Sequence, residues 1–374
     1  MIAGILKEPT GEHRVSLLPE QAEVLIKKGV TFFAEPSAGA NAFAADITYT
    51  AKGVSIQPRS EILSKADLLF SIQPLHITDI ALLKPGAVIT GVYQPLFNVQ
   101  LIQQLAAKNT TTFSMDMLPR TTRAQSMDVL SSQANIAGYK AVILAASLYP
   151  KYFPMFMTAA GSIPPAKVLI LGAGVAGLQA VATARRLGAV VEVFDTRPAV
   201  KEEVISLGAK FIEVEGAADA SAAGGYAVEQ TEDYKQKQQQ KIADAAAKAD
   251  IIITTAQIPG KAAPVLITDP MLISMKPGSV IIDLAAATGG NTPKTVNAQT
   301  IRFNNVTIVG DSNLAATMPA DASKLYGKNI LNFLQLIIDK DGQLNLNFDD
   351  DLVKGTCITH NGEIVNERVR SLIG

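Results

Sequence analysis

The sequence of 374 residues predicts an α/β protein of two doubly wound domains with parallel sheets and a cleft between them. Two observations lead to this fold class. Short β-rich segments alternate with helical patterns over the first 115 residues, and a second alternating series begins at Val168. Such alternation is typical of parallel sheets covered by helices. The length suits about two domains, and the 48% hydrophobic content can fill two cores.

The first domain is predicted from five strands and the helices between them. The strands are expected at Ile2–Leu6, Thr31–Glu35, Leu68–Ile72, Ala87–Val92 and Thr111–Met115. Pro19 suits the first position of a helix, and Gly29 marks the end of that helix. Ala22, Leu25 and Ile26 share one face of it, which we expect to be buried.

A long helical pattern from Asp128 to Tyr149 runs to Pro150 and is interpreted as a connector between the domains. The second series follows it. Its strands are expected at Val168–Leu171, Val190–Phe194, Phe211–Val214, Ile251–Thr255, Ser279–Leu284 and Val306–Val309.

The C-terminal segment is expected to return to the first domain. After Pro319, a helix face is marked by Ile330, Phe333, Leu334 and Ile337. Asn361-Gly362 predicts a hairpin within Ile358–Val365. The predicted domains are therefore 1–134 with 322–374, and 135–321.

The run Val168–Gly177 followed by Val193-Phe194-Asp195 is the most informative stretch of the chain. Gly172 permits a tight turn, Gly174 lets backbone N–H groups approach a pyrophosphate, and Gly177 allows close helix–strand packing. Asp195, about 20 residues further on, is placed to hold a ribose 2′-OH. The alternative, a glycine-rich turn without function, does not explain the apolar strand, the helix and the acid together. We therefore predict that the second domain is a Rossmann domain that binds NAD.

Arg197 raises the alternative of NADP, because an arginine can meet a 2′-phosphate. The carboxylate of Asp195 would repel that phosphate, so NAD is preferred. The stretch Glu215–Gln240 is irregular and polar. It is either a disordered surface insertion or a mobile lid with Gly224-Gly225 as hinge and Tyr226 as tip.

A dense polar segment, Arg120–Asn135, precedes the connector helix. Gln125, Asp128 and Ser131 are spaced three apart, so at the start of a helix they would share a face that points into the cleft. The alternative is that Ser126 or Asp128 only caps the helix. Capping accounts for one or two polar residues here but not for so many.

Composition excludes several classes of function. The net charge of −1 gives no reason to expect nucleic acid as a partner. Cys357 is the single cysteine, which indicates a reducing compartment, and three scattered histidines argue against a metal site. We expect no signal peptide, and the apolar runs are too interrupted for a membrane span. His13, Arg14, Lys7 and Glu8 are either solvated loop residues or, for Arg14, a ligand for a substrate carboxylate.

The residues Gly4–Pro9, Arg123–Gln133, Gly172–Gly177 and Met318–Ser323 carry a resemblance over nearly the whole chain. The sequence resembles domain I, the NAD(H)-binding portion of proton-translocating nicotinamide nucleotide transhydrogenases. The resemblance implies that Arg120, Gln125, Asp128 and Ser131 surround the nicotinamide and that a loop tyrosine closes over the nucleotide. Tyr226 is the better match for that tyrosine and Tyr234 the poorer one. The nucleotide-binding residues assigned on this basis are Gly172, Gly174, Val175, Ala176, Gly177, Asp195, Thr196, Arg197, Tyr226, Ala256 and Gln257.

Alanine dehydrogenase is similar across the fold, but its acid/base residues are missing here. Its substrate lysine falls near Ser71–Pro74, its histidine near Gly91–Gln94 and its aspartate at about Ala287. Oxidation of an amine requires a group that takes a proton, whereas hydride transfer between two nicotinamides requires none. The rival interpretations are an amino-acid dehydrogenase and a non-catalytic NAD-binding protein.

The chain contains one GxGxxG motif, so NADP(H) is expected on a partner. The resemblance implies that this partner is domain III of the beta subunit and that a separate subunit spans the membrane. It also implies a homodimer on the cytoplasmic side, peripherally associated with the inner membrane. The end of the chain at Gly374 is similar to the arrangement in which domain I is a subunit of its own.

Overall fold

The computed structural model describes residues 1–216 and 231–373. They form two compact units. Unit 1 comprises Met1–Gln133 and the chain from Ala316 onward, and unit 2 comprises Ala134–Ala315. Each unit is built on its own mainly parallel sheet with helices, so the predicted α/β class is confirmed.

The strands, numbered in chain order, are β1 Ile2–Ile5, β2 Thr31–Ala34, β3 Ser55–Ile56, β4 Leu68–Phe70, β5 Val88–Gly91, β6 Thr111–Ser114, β7 Phe156–Thr158, β8 Gly161–Ile163, β9 Lys167–Leu171, β10 Val190–Phe194, β11 Lys210–Phe211, β12 Ile251–Thr254, β13 Val280–Asp283, β14 Gln299–Phe303, β15 Val306–Gly310, β16 Cys357–His360 and β17 Glu363–Ile364. The helices are α1 Pro19–Ile26, α2 Asp46–Ala51, α3 Arg59–Lys65, α4 Ile77–Leu82, α5 Val99–Ala107, α6 Val129–Leu148, α7 Val175–Arg186, α8 Lys201–Ser206, α9 Glu232–Ala246, α10 Asp269–Ser274, α11 Pro319–Leu334, α12 Asp351–Thr356 and α13 Glu367–Arg370.

The sheet of unit 1 has the order β17-β16-β6-β5-β4-β1-β2-β3. Strands β1 to β6 are parallel, and the chain winds outward in both directions from β1 and β4. The carboxyl ends of these two strands therefore form a topological switch point. Fully buried rings of Phe32, Phe70 and Phe113 lie in the core, where Phe333 of α11 packs edge-on against Phe113 with ring centroids 5.3 Å apart.

The predicted C-terminal hairpin and its return to the first domain are confirmed. Asn361 and Gly362 both have positive φ, at 50° and 81°, as a two-residue type I′ turn requires. β16 and β17 pair antiparallel across this turn, and β16 pairs antiparallel with β6.

The sheet of unit 2 has the order β11-β10-β9-β12-β13-β15-β14. Six of its strands are parallel, and β14 joins the edge antiparallel to β15. The order places the beginning of each half, β9 and β12, side by side at the centre. Their carboxyl ends form the second switch point of the chain, the usual position of a ligand in this topology.

The prediction for Glu215–Gln240 was wrong at its C-terminal end, because α9 begins at Glu232. Thr231 caps this helix by accepting a hydrogen bond from the Tyr234 N–H at 3.2 Å, and acidic residues occupy its first turn. Tyr234 and Ile242 are 2% and 1% exposed, so one face of this polar segment packs inward. Tyr226 and its neighbouring glycines lie outside the described residues.

Several short elements were not expected from the sequence. They are β3, the hairpin β7–β8 and the edge strand β14, in which polar or exposed residues hide the β pattern. The strand expected at Phe211–Val214 is only Lys210–Phe211, and Ile337 lies beyond the end of α11, although it is buried as expected.

Candidate functional site

The glycine turn between β9 and α7 has the geometry that its sequence predicts. Gly172 has φ of +104°, and a Cβ there would lie 2.3 Å from the Thr255 Oγ1. A Cβ on Gly177 would lie 1.8 Å from the Gly172 carbonyl oxygen. Neither position can hold a side chain without movement of its neighbours, so the turn and the helix approach each other as closely as glycine allows.

Gly174 differs from its two neighbours because a Cβ there would meet nothing within 4 Å. The residue is the N-cap of α7, and the first helical hydrogen bond runs from the Leu178 N–H to the Gly174 carbonyl. The N–H groups of Val175, Ala176 and Gly177 therefore have no acceptor within the helix. The open space beside a helix N-terminus fits a pyrophosphate group.

Asp195 follows β10 and is 9% exposed. The Ala173 N–H of the glycine turn donates to Asp195 Oδ2 at 2.7 Å, so the acid also fixes the turn. Arg197 donates to the same carboxylate from its backbone N–H, from Nε at 2.9 Å and from Nη2 at 2.7 Å. The hydrogen bonds and charge of Asp195 raise the pKa of Arg197. Thr196 lies half-buried between the two residues.

The loop after β12 lies beside the turn and is held by Asn291, for which no role was expected from the sequence. Asn291 accepts a hydrogen bond from the Ala256 N–H at 3.2 Å and donates to the Ala256 carbonyl at 2.9 Å. Gln257 Nε2 donates to the Leu284 carbonyl at 2.9 Å. The sequence signal for Asn291 was its place directly after Gly289 and Gly290, both of which have positive φ.

The segment of α6 that belongs to unit 2 packs against the start of α7. A Cβ on Gly138 would lie 2.1 Å from the Ala176 carbonyl oxygen, and Asn135 Nδ2 donates to Gln179 Oε1 at 3.2 Å. Gly138 therefore permits the close approach of α6 to the first turn of α7. This contact was not expected from the sequence.

The expectation that Gln125, Asp128 and Ser131 share one helix face was wrong. Gln125 belongs to a separate 3-10 helix, Thr122–Met127, which ends before α6 begins. Asp128 between them has extended backbone, with ψ of 94°, and so breaks the helical spacing.

Asp128 caps α6, as the alternative interpretation proposed. Its Oδ1 accepts from the Ser131 N–H at 2.9 Å and its Oδ2 accepts from the Ser131 hydroxyl at 2.5 Å. Ser126 is not a cap; its carbonyl accepts hydrogen bonds from Asn329 and Asn332 of α11, both at 2.8 Å.

Arg120 and Gln125 are exposed on this segment. Within the described residues, the Gln125 side chain forms no hydrogen bond, so its amide is available to a ligand. Arg123 is instead committed to unit 1, where it donates to both Asp350 carboxylate oxygens at 2.6 and 2.7 Å and also to Asp351.

Around the switch point of unit 1 lies a buried polar cluster of which the sequence indicated only some members. Glu12 accepts from Arg14 Nε at 2.8 Å and from Arg14 Nη2 at 2.6 Å. Burial opposes ionisation of Glu12, but the hydrogen bonds and charge of Arg14 hold its pKa below the usual value. Glu8 is also buried, and this burial raises its pKa to about 7. The paired edge of Arg14 that would hold a substrate carboxylate thus faces Glu12.

The positions of the alanine dehydrogenase acid/base residues hold no substitute for them. Ser71 Oγ and the Tyr93 hydroxyl are hydrogen-bonded to each other at 3.1 Å, and the Ala287 N–H donates to Ser312 Oγ at 2.8 Å. Among the described residues, no group of three or more histidines, cysteines or acids could hold a metal ion. In the same residues, no helix combines the length and apolar character needed to cross a bilayer.

The switch point of unit 2, the glycine turn and the acid that ends β10 define a dinucleotide-binding protein of the Rossmann class. Comparison with known families agrees. The N-terminal domain of alanine dehydrogenase/PNT matches residues 4–137, and the C-terminal domain of alanine dehydrogenase/PNT matches residues 141–367. The chain belongs to this family.

Two relatives are similar over almost their full length. The first portion of the NAD(P) transhydrogenase alpha subunit of Rickettsia prowazekii, a chain of its own, is 46% identical over 374 residues, which cover 99% of this chain and 97% of that one. The crystal structure of transhydrogenase from Sinorhizobium meliloti is 44% identical with a TM-score of 0.89, and the match covers 98% of this chain and all of that one. Alanine dehydrogenase of Mycolicibacterium smegmatis is more distant, with 23% identity over 99% of this chain and 96% of that protein. The resemblance drawn from the sequence is thus confirmed.

Proposed function

We propose that this protein is the NAD(H)-binding component of a proton-translocating transhydrogenase. In this proposal it transfers hydride between NADH and NADP⁺ held by a partner, as a Re/Si-specific NAD(P)⁺ transhydrogenase. The observation that carries the proposal is a complete dinucleotide turn in a chain whose dehydrogenase positions, Ser71–Pro74, Gly91–Gln94 and Ala287, provide no lysine, histidine or acid. The relative named as a transhydrogenase shares about twice the identity of the alanine dehydrogenase, 46% against 23%.

The residues divide the work between binding and orientation. Gly174 and the first N–H groups of α7 receive the pyrophosphate, and Asp195 receives the ribose hydroxyls. Thr196, Arg197, Ala256 and Gln257 line the same nucleotide. Because both Asp195 oxygens already accept from Arg197, the arginine side chain must yield one of these bonds to a ribose hydroxyl.

Arg120, Gln125, Asp128 and Ser131 orient the nicotinamide in this proposal. The Ser131 hydroxyl donates to Asp128, so its lone pairs are left to accept from the carboxamide group. Gln125 extends toward the second nucleotide. Tyr226 acts as a latch over the bound nucleotide.

The reaction requires alignment rather than proton transfer. The dihydronicotinamide supplies a hydride from its C4, which is received at C4 of the oxidised ring, so that NADH and NADP⁺ become NAD⁺ and NADPH. The side chains then need only hold the rings close, oriented and dry. A set of amide, hydroxyl and paired carboxylate groups is suited to that task.

The second nucleotide is proposed on domain III of the beta subunit, and proton translocation in a separate membrane-spanning subunit. The protein would therefore associate peripherally with the cytoplasmic side of the inner membrane. We also propose a homodimer. Exposed apolar residues around the hairpin β7–β8 support this, with Met155 60% and Met157 73% exposed.

The direct test is to mix the purified chain with the NADP(H)-binding component of a transhydrogenase and to follow NADPH formation from NADH. Activity in the mixture and none in either component alone is expected. Reduction of NAD⁺ by alanine with the chain alone would instead support an amino-acid dehydrogenase. NADH binding without transfer in the mixture would support a non-catalytic NAD-binding protein.

Gln125→Asn tests the role of the exposed amide. The substitution keeps the amide but withdraws it by one methylene, so hydride transfer should slow by at least about tenfold while the Kd for NADH stays within about threefold. Stopped-flow transfer rates and calorimetric titration with NADH measure the two quantities. Gln103→Asn, at an exposed glutamine of α5, is the matched control. An unchanged rate would remove the assigned role from Gln125.

A further inference from the structure

The switch point of unit 1 contains an ion pair that the proposed reaction does not use. The side chains of Arg14 and Glu12 are 7% and 2% exposed, and two parallel hydrogen bonds join them. A buried pair of this kind contributes little net stability, since both charges lose their hydration. Its geometric precision is its distinctive property, because a planar guanidinium fixes the direction of each remaining N–H.

Both members of the pair are tied to other loops. Gln73 Nε2 donates to Glu12 Oε2 at 2.9 Å, and the backbone N–H groups of Ile72 and Gln73 donate to the Glu8 carboxyl at 2.6 and 3.0 Å. The loop after β1 is thereby fastened to the loop after β4. Arg14 is held from behind by a rigid network.

The opposite side of the guanidinium reaches α6. Arg14 Nη1 donates to Gln133 Oε1 at 2.8 Å, and Gln133 Nε2 donates to the Ala322 carbonyl of α11 at 3.1 Å. The Val15 N–H donates to Ser323 Oγ at 2.9 Å, one residue further along α11. The network thus ends on the second turn of α6, two residues after Ser131.

We propose that Arg14 is a positioning residue for hydride transfer, which acts through Gln133 to fix the start of α6 and with it the Asp128–Ser131 pair. The inference rests on the proposed function, in which that pair orients the nicotinamide. Hydride transfer is sensitive to small displacements of the ring, and a shift of about 1 Å can slow a reaction by about a hundredfold. Arg14 is assigned no contact with substrate, because Glu12 and Gln133 receive its directed donors.

Two substitutions break the connection while leaving the site residues in place. Arg14→Lys keeps a positive charge beside Glu12 but loses the planar donor to Gln133, and Gln133→Leu removes the acceptor at nearly constant volume. For each we expect the hydride-transfer rate at saturating NADH to fall about tenfold, with the Kd for NADH within about threefold of wild type. The double variant should be about as slow as the slower single variant, because both changes break one interaction.

Arg59→Lys is the matched control. Arg59 also joins two acids within unit 1, with bonds to Glu35 at 2.6 Å and to Asp79 at 2.7 Å, and these partners lie on segments other than α6. The variant should lose a similar amount of thermal stability and retain the wild-type rate.

The outcomes separate the inference from the proposed function. If the wild-type chain and its partner component transfer no hydride, the proposed function fails. If wild type transfers hydride and the Arg14 and Gln133 variants match its rate, the positioning role is wrong. It is also wrong if the rate of the Arg59 variant falls as far as theirs, since a general loss of stability would then explain all three.

Discussion

At the scale of single residues, the three glycines of the turn have different physical reasons for lacking a side chain. Gly172 and Gly177 are surrounded by protein atoms, and a Cβ at either would meet an oxygen at 2.3 Å or less. Gly174 is surrounded by open space. The first two glycines are thus needed by the fold, and the third is needed by the ligand.

This contrast predicts different effects for two alanine substitutions. Gly177→Ala should lower the free energy of unfolding by about 2 kcal/mol or more, because the clash is with backbone. Gly174→Ala should lower it by about 1 kcal/mol or less, because the space is open and only the weaker capping by alanine counts. The same Gly174→Ala change should weaken NADH binding by about tenfold, or about 1.4 kcal/mol. Urea unfolding and calorimetric NADH titration of both variants measure these effects, and a Gly177→Ala protein as stable as wild type would contradict the packing argument.

At the scale of elements, the start of α6 has both a structural and a proposed functional role. Asp128 satisfies the Ser131 N–H, which would otherwise lack a partner in the first turn. The same carboxylate accepts from the Ser131 hydroxyl and so orients it. Capping and orientation are therefore performed by one side chain and are not alternatives.

Asp128→Ala should destabilise the protein by about 1 kcal/mol through loss of the cap and should also slow hydride transfer. Asn366→Ala is a suitable comparison, because Asn366 caps α13 through the Arg368 and Val369 N–H groups. It should show a similar loss of stability with the wild-type rate. Thermal unfolding and the transfer assay on both variants make the comparison, and equal rates would leave Asp128 with capping alone.

The elements also show how far sequence reasoning extends. The glycines, Asp195 and the Asn361-Gly362 turn were predicted because each signal is local, involving spacing or backbone conformation within a few residues. Asn291, Gly138 and the partners of Arg14 were not predicted, because their contacts join distant segments. Gln73 and Glu12, for example, are 61 positions apart. The break at Asp128 escaped prediction because the polar spacing is the same in a 3-10 helix followed by an α-helix as in one α-helix.

At the scale of the whole molecule, Glu8 should make stability depend on pH. Burial raises its pKa from 4.5 to about 7 in the folded protein. The folded state therefore holds a proton that the unfolded chain releases at lower pH. This contribution to stability is fully present below pH 4.5 and is lost as the pH rises to about 7, amounting to about 3 kcal/mol.

Glu8→Gln removes the titrating group and should remove this component of the pH dependence. The measurement is the free energy of unfolding of both proteins at about pH 5 and about pH 8, by urea titration. The difference between wild type and variant should change between the two pH values in the direction of a less stable wild type at the higher pH. A difference that does not vary with pH would show that Glu8 does not titrate in this range.

The pairing of β16 with β6 has a consequence for the order in which the chain is made. Thr359 Oγ1 donates to the Thr110 carbonyl, 249 positions earlier, whereas the sheet of unit 2 uses only residues within 167–310. During synthesis, the complete sequence of unit 2 is available while the last strands of unit 1 are still untranslated. The exposed side of β6 must then wait for its neighbour for the time needed to add these residues. At typical rates of about 5–20 residues per second, this wait lasts several seconds, a period in which a chaperone would have an unpaired strand edge to protect.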